Sequence, residues 1–142
     1  MSNLSIPLEL IDFQDAGFHL LVEVVVFGQS FKAVLDTGAS KTVFDKAIVG
    51  KYIKSGELVI SDKLSTGLGK NNMESHTIIL PVLKIGKFKL RNFEVAVLDL
   101  SAISQAYASL NLPPVIGVIG GDILYQYNGI INYKKLHLKL FR

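Results

Sequence analysis

The chain has 142 residues, 49% of them hydrophobic and 19% charged, with a formal net charge of +3; it is long enough for one core and too apolar for disorder. It contains no cysteine, which excludes a disulfide framework, a thiol nucleophile and every cysteine-based zinc or iron–sulfur site. The three histidines, His19, His76 and His137, lie far apart, so a histidine-rich metal cage is not expected.

At the N-terminus Met1-Ser2-Asn3-Leu4 carries no basic residue, and Glu9, Asp12 and Asp15 interrupt the first apolar stretch. No secretory leader is visible, and a cytoplasmic protein is expected. Residues 1–17 are set apart as an N-terminal segment ahead of a single domain, 18–142. Phe18 to Phe27 is β-branched and aromatic and ends at Gly28-Gln29-Ser30, before the short run Phe31 to Leu35, which together signal a hairpin. Val43 to Asp45 reads as extended, Lys46 to Tyr52 as a short helical turn and Leu58 to Leu64 as strand. Ser65 to Asn72 is polar and glycine-bearing; Thr77 to Val82 and Phe88 to Leu98 are strands separated by Gly86-Lys87. A helix fits Ala102 to Leu110, with Ser101 as N-cap and Pro113-Pro114 as a stop. Asp122 to Tyr127 forms a second short helix, and Asn128-Gly129 is a hairpin-type turn joining final strands at Ile130 to Tyr133 and Leu136 to Phe141.

The uncharged run Leu100 to Gly121 holds Ser, Gln, Asn, two prolines and glycines, which a lipid-facing helix cannot accommodate, so no membrane partner is expected. Lys134, Lys135, Lys139 and Arg142 follow the last acid, Asp122; they read as a solvated strand edge, and no aromatic-plus-basic ladder points to nucleic acid. Many short strands with glycine turns and little helix argue an all-β barrel or sandwich. A faint internal echo links Val25-Val26-Phe27-Gly28-Gln29-Ser30-Phe31 and Val34-Leu35-Asp36 with Leu83-Lys84-Ile85-Gly86-Lys87-Phe88 and Val97-Leu98-Asp99, as in a domain of two related halves. It breaks after the aspartates, where Thr37-Gly38 faces Leu100-Ser101.

Asp36 stands directly after an apolar strand and before small residues, Thr37-Gly38-Ala39-Ser40. Such an aspartate can cap its own turn, and it can also be chemistry. Val34-Leu35-Asp36-Thr37-Gly38-Ala39-Ser40 resembles the active-site signature of the aspartic proteases. Val118-Ile119-Gly120-Gly121-Asp122-Ile123-Leu124 resembles that clan's second signature, two apolar residues and a glycine leading into a short helix. Tyr127 to Lys134, followed by Leu136 and Leu138, is similar to the C-terminal strands of bacterial retropepsin-like proteins, so the resemblance runs from about Val22 to Leu140.

The resemblance implies a retropepsin-like acid protease barrel with one or two short helices, half of a two-fold active dimer. Its mechanism needs two facing carboxylates, one ionised and one protonated. Two negative charges about 3 Å apart repel by roughly 5 kcal/mol at an effective dielectric near 20, so the pair shares a proton and titrates as a unit. This chain supplies one such aspartate. Asp99 lacks the Thr-Gly, Asp122 belongs to the helix-leading motif with a structural role, and Asp45 reads as an exposed turn residue. A homodimer that uses Asp36 twice is the economical answer.

By the same resemblance Thr37 would hold the two Asp36 loops together, Gly38 would let backbone approach the carboxylates, and Ala39 and Ser40 would line the peptide cleft. Val118 would form an apolar side-chain pocket or be plain core. Thr66-Gly67-Leu68-Gly69 looks like the tip of a flap that closes over bound peptide, with Gly67, Leu68 and Gly69 against the substrate. Neither Gly67-Leu68-Gly69 nor Ser40-Lys41-Thr42 meets the requirements of a nucleotide loop. His19 and His76 read as strand residues, and Ser101 to Val115 as a surface insertion beside the cleft. The resemblance implies an aspartic endopeptidase acting on a peptide or protein substrate, with no metal or organic cofactor. The alternative is an inactive dimeric peptide-binding or assembly module of the same fold; a third possibility is a precursor whose first seventeen or so residues block the cleft.

Overall fold

The computed structural model describes residues 2–14, 17–54, 59–60 and 75–142. Two hairpins organise it. In the first, β2 (Phe18–Val26) and β3 (Gln29–Leu35) are joined by Phe27 and Gly28, both left-handed, with φ of 56° and 70°. Left-handed backbone at both central positions matches the twist of the flanking strands. Phe27 is held there by stacking on Tyr52, with ring centroids 5.2 Å apart. In the second, β6 (His76–Ile85) and β7 (Phe88–Leu98) turn at Gly86, where φ is 57°. The echo heard in the sequence is therefore real in space: each hairpin has its left-handed glycine, and each ends in an aspartate.

The remaining strands are β1 (Asn3–Asp12), β4 (Val43–Asp45), β5 (Val59–Ile60), β8 (Val115–Ile119), β9 (Ile130–Asn132) and β10 (His137–Phe141). The order β6-β7-β4-β8-β3-β2 closes on itself through β2–β6 pairing, giving a six-stranded barrel. Two of its pairings, β3 with β8 and β4 with β7, are parallel. The all-β expectation holds, with three short helices, α1 (Lys46–Val49), α2 (Ser101–Ser109) and α3 (Gly121–Gln126).

Alternation along the strands makes the core. Val22, Val24 and Val26 point inward from β2, and they meet Phe44, Leu83, Ile85, Val97 and Ile119 in one buried cluster. A second, smaller cluster of Leu21, Val34, Tyr107, Val115 and Val118 lies under α2. Between β4 and β8 the backbones nearly touch at Gly117, where an added Cβ would stand 1.9 Å from the Val43 carbonyl oxygen.

Residues 3–12, given no element by the sequence reading, are the strand β1. Asn3 to Pro7 pair with β10 and Leu8 to Asp12 pair with β2, and Ile6 and Leu8 are buried in the main core. The change of partner falls at proline, which has no N–H to give a ladder.

Three local expectations are corrected. The N-cap of α2 is Leu100, not Ser101, and the Ser101 N–H is taken at 2.9 Å by Asp99 Oδ1. Asp45 is buried rather than exposed, its Oδ1 accepting the Leu100 N–H at 2.8 Å. Asn128-Gly129 ends α3 instead of joining strands: Asn128 is left-handed (φ 52°), and the N–H groups of Asn128 and Gly129 return to the carbonyls of Tyr125 and Leu124. The β9–β10 connection is made by residues 133–136, where the Lys135 N–H bonds Asn132 Oδ1 at 2.9 Å. Among the described residues no helix is long and apolar enough to cross a membrane.

Candidate active site

Asp36 follows the last residue of β3 and continues that strand's bonding, its N–H reaching the Ile119 carbonyl on β8 at 3.0 Å. The chain then turns: Gly38 N–H donates to Asp36 Oδ1 at 2.9 Å and Ala39 N–H to the Asp36 carbonyl at 3.2 Å. A Cβ on Gly38 would lie 3.3 Å from Asp36 Oδ1, so glycine leaves that face of the carboxylate open. Asp36 thus braces its own turn and still exposes its carboxylate. Thr37, Gly38 and Ser40 are exposed and Ala39 is half-buried.

What fixes the turn is the opposite strand end. Gly121 N–H donates to the Ala39 carbonyl at 2.7 Å. Thr42, fully buried, donates its backbone N–H to both oxygens of Asp122 at 3.0 Å and its hydroxyl to Oδ1 at 2.8 Å, while accepting the Gly120 N–H at 3.1 Å. Gly120 leaves no room for a side chain, since a Cβ would come within 2.7 Å of Lys41 backbone. The two signature segments are thereby clamped together through backbone, and Asp122 has the structural role expected of it. Thr42 was missed by sequence reasoning because its partner lies 80 residues away.

A pocket of about 290 Å³ opens at Asp36 and Thr37, walled by Val34, Val118, Ile103 and His19 and reaching Ile131 and Tyr133. A second hollow on the other side of Thr37 is lined by Gly121, Leu124 and Tyr125. Val118 packs in the smaller core cluster and also lines the pocket at Asp36. Asp36 is the sole acid among the described residues lining either hollow. Asp99 stands elsewhere, spent on Ser101, whose backbone N–H and then side chain lower its pKa. Gly67, Leu68 and Gly69, expected at a flap tip with Thr66, lie outside the described residues.

The insertion 101–115 packs against this site. Tyr107 on α2 is fully buried, and its hydroxyl lies 3.0 Å from Nδ1 of His19 on β2. Burial, and secondarily the charge of Glu9, raises the Tyr107 pKa to about 12. Phe13 completes the cluster, 4.4 Å from His19 and 4.9 Å from Tyr107 between ring centroids.

Residues 22–123, most of the chain, match the family model described as aspartyl protease. The chain belongs to the aspartyl protease family. No curated protein matches it. Among solved structures, a retropepsin-like aspartic protease from Rickettsia conorii is 20% identical, with 98% of this chain and 88% of that one covered and a TM-score of 0.57. The retroviral protease-like domain of Ddi1 from Leishmania major is 16% identical over 86% and 87% of the two chains, with a TM-score of 0.60. EIAV protease in complex with an inhibitor is 20% identical over 75% and 85%, with a TM-score of 0.50. The fold of this aspartyl protease family member is thus retropepsin-like, as the signature residues implied.

Proposed function

We propose that this protein is a homodimeric aspartic endopeptidase in which Asp36 of each subunit supplies one of two facing carboxylates. The observation that carries the reading is the solitary, exposed Asp36 carboxylate on a rigidly clamped Asp-Thr-Gly turn, with no second acid beside it among the described residues. Phe18 and Tyr133 on one side of that turn and Tyr125 on the other stand in solvent, 63%, 66% and 89% exposed, and Ile130 on β9 is 54% exposed. Strand β9, which carries Ile130, ends the sheet with one edge unpaired among the described residues. An apolar rim beside an open strand edge favours a second copy of the chain.

In the dimer the two carboxylates share one proton. The ionised one takes a proton from water as the water oxygen attacks the scissile carbonyl carbon, and the protonated one gives its proton to the carbonyl oxygen. Collapse of the resulting diol breaks the C–N bond, with a proton passing to the leaving nitrogen. Thr37 and Gly38 hold the two turns in register, Ala39 and Ser40 line the substrate strand, and Val118 receives a side chain. Incubating the protein with an unbiased peptide library between about pH 4 and 7 tests this, a window that spans the shared-proton state. Cleavage by the parent and none by Asp36→Asn supports the reading; equal cleavage by both overturns it.

A further inference from the structure

The hollow that exposes Asp36 also exposes His19, and the far side of that imidazole is tied down. Tyr107 Oη stands 3.0 Å from His19 Nδ1, and no other partner for that hydroxyl occurs among the described residues. Burial keeps the phenol protonated, with its pKa near 12, so its hydrogen must be given to an acceptor. The Nδ1 lone pair is the acceptor in reach. A neutral His19 that accepts at Nδ1 carries its own hydrogen on Nε2. Packing of Phe13 against the ring, with centroids 4.4 Å apart, stops it from flipping away. Nε2 has no partner among the described residues, and His19 stands in the hollow beside the aliphatic side chains of Leu20, Val34, Ile103 and Val118, with Asp36, Thr37 and Tyr133 as the other polar lining.

Building on the protease reading, we propose that His19 is a specificity-determining residue. Fixed by Tyr107 as the Nε2–H tautomer, it donates a hydrogen bond to the substrate side chain held in the Asp36 pocket, and so selects one with an aliphatic stem and a neutral terminal carbonyl, glutamine, since a glutamate carboxylate would be repelled by the charge of the Asp36 pair. An apolar side chain of the same length fills the pocket and leaves Nε2–H without an acceptor, which is the source of the discrimination. The insertion 101–115 acquires a role in this account, because α2 brings the Tyr107 hydroxyl that sets the tautomer.

Two measurements test it. Nitrogen-15 NMR of the histidine rings, with His19 assigned by its loss in His19→Phe, is expected to show the Nε2–H tautomer near neutral pH; the Nδ1–H tautomer overturns the proposal whatever the enzyme does. Paired peptides differing only in glutamine against norleucine are then compared, and the parent is expected to prefer glutamine by about fivefold to tenfold. His19→Phe should bring that ratio to one or below. Should His19→Phe not fold, Tyr107→Phe serves, since it frees the tautomer and should lower the ratio. If the parent cleaves nothing, binding of the same pair to Asp36→Asn is measured instead. Cleavage or binding with an unaltered ratio in the variants overturns the role of His19 and leaves the protease reading standing. Selective, His19-dependent binding without cleavage does the reverse, and neither cleavage nor binding overturns both.

Discussion

The Asp122 carboxylate grips the buried Thr42 by three hydrogen bonds, joining chain positions 80 residues apart. Its consequence is mechanical. Asp36 and Ala39 lean on the backbone of Ile119 and Gly121, so the Thr42–Asp122 clamp decides how firmly the acidic turn is held against β8 and α3. Thr42→Val keeps the shape and deletes the hydroxyl, stranding the Gly120 N–H and one carboxylate contact. We expect a loss of about 1–3 kcal/mol in urea unfolding. Thr42→Ser, which keeps the hydroxyl, should lose less.

Asp36→Asn should leave the urea midpoint of the protein almost unchanged, because an asparagine oxygen can still accept the Gly38 N–H. Peptide cleavage should fall by at least 10²–10⁴-fold, the contribution typical of a positioned acid–base group.

Charge on the open edge of β9 should separate the subunits. Ile130→Lys is expected to move the sedimentation coefficient at micromolar concentration from dimer to monomer, with cleavage lost in proportion. Ile79→Lys on β6, at a position equally exposed, is the control and should change neither.

Stability at high pH should report on Tyr107. Its folded pKa of about 12 lies above its ordinary value of 10.0, so the stabilisation it provides is complete below pH 10 and is lost as pH rises toward 12. Denaturant midpoints measured from pH 9 to 12 should fall less steeply in Tyr107→Phe than in the parent, the lysines contributing equally to both.

Glycine positions should separate into two kinds. Gly117→Ala forces a methyl into the Val43 carbonyl and should cost about 3 kcal/mol or more, by unfolding or by loss of soluble protein. Gly28→Ala meets open space and pays only for its left-handed φ of 70°, about 1–2 kcal/mol.

The residues that could be read from sequence were those whose job is local. Alternating β-branched runs gave β2, β3, β6 and β7, and Asp36-Thr37-Gly38 carried its own turn, because strand pattern and turn chemistry are written within a few neighbouring positions. Asn128-Gly129 deceived because left-handed backbone serves a helix end as well as a hairpin, and only the following carbonyl partners decide. Asp45 and Thr42 could not be read at all, since their partners, Leu100 at the start of α2 and Asp122 in the first turn of α3, are 55 and 80 residues away. Strand β1 escaped notice because its charges, Glu9 and Asp12, fall on positions exposed to water while Ile6 and Leu8 carry the burial.

Gly117 sits opposite Phe44 on one side and Ala33 on the other. A slip of β8 by one residue would bring Ile116 or Val118 to the place where even a methyl meets the Val43 carbonyl. The missing side chain thus acts as a gauge that only one alignment of β8 passes. Since the Asp36 N–H bonds the Ile119 carbonyl at the end of the same strand, the alignment that Gly117 admits also fixes where the acidic turn begins.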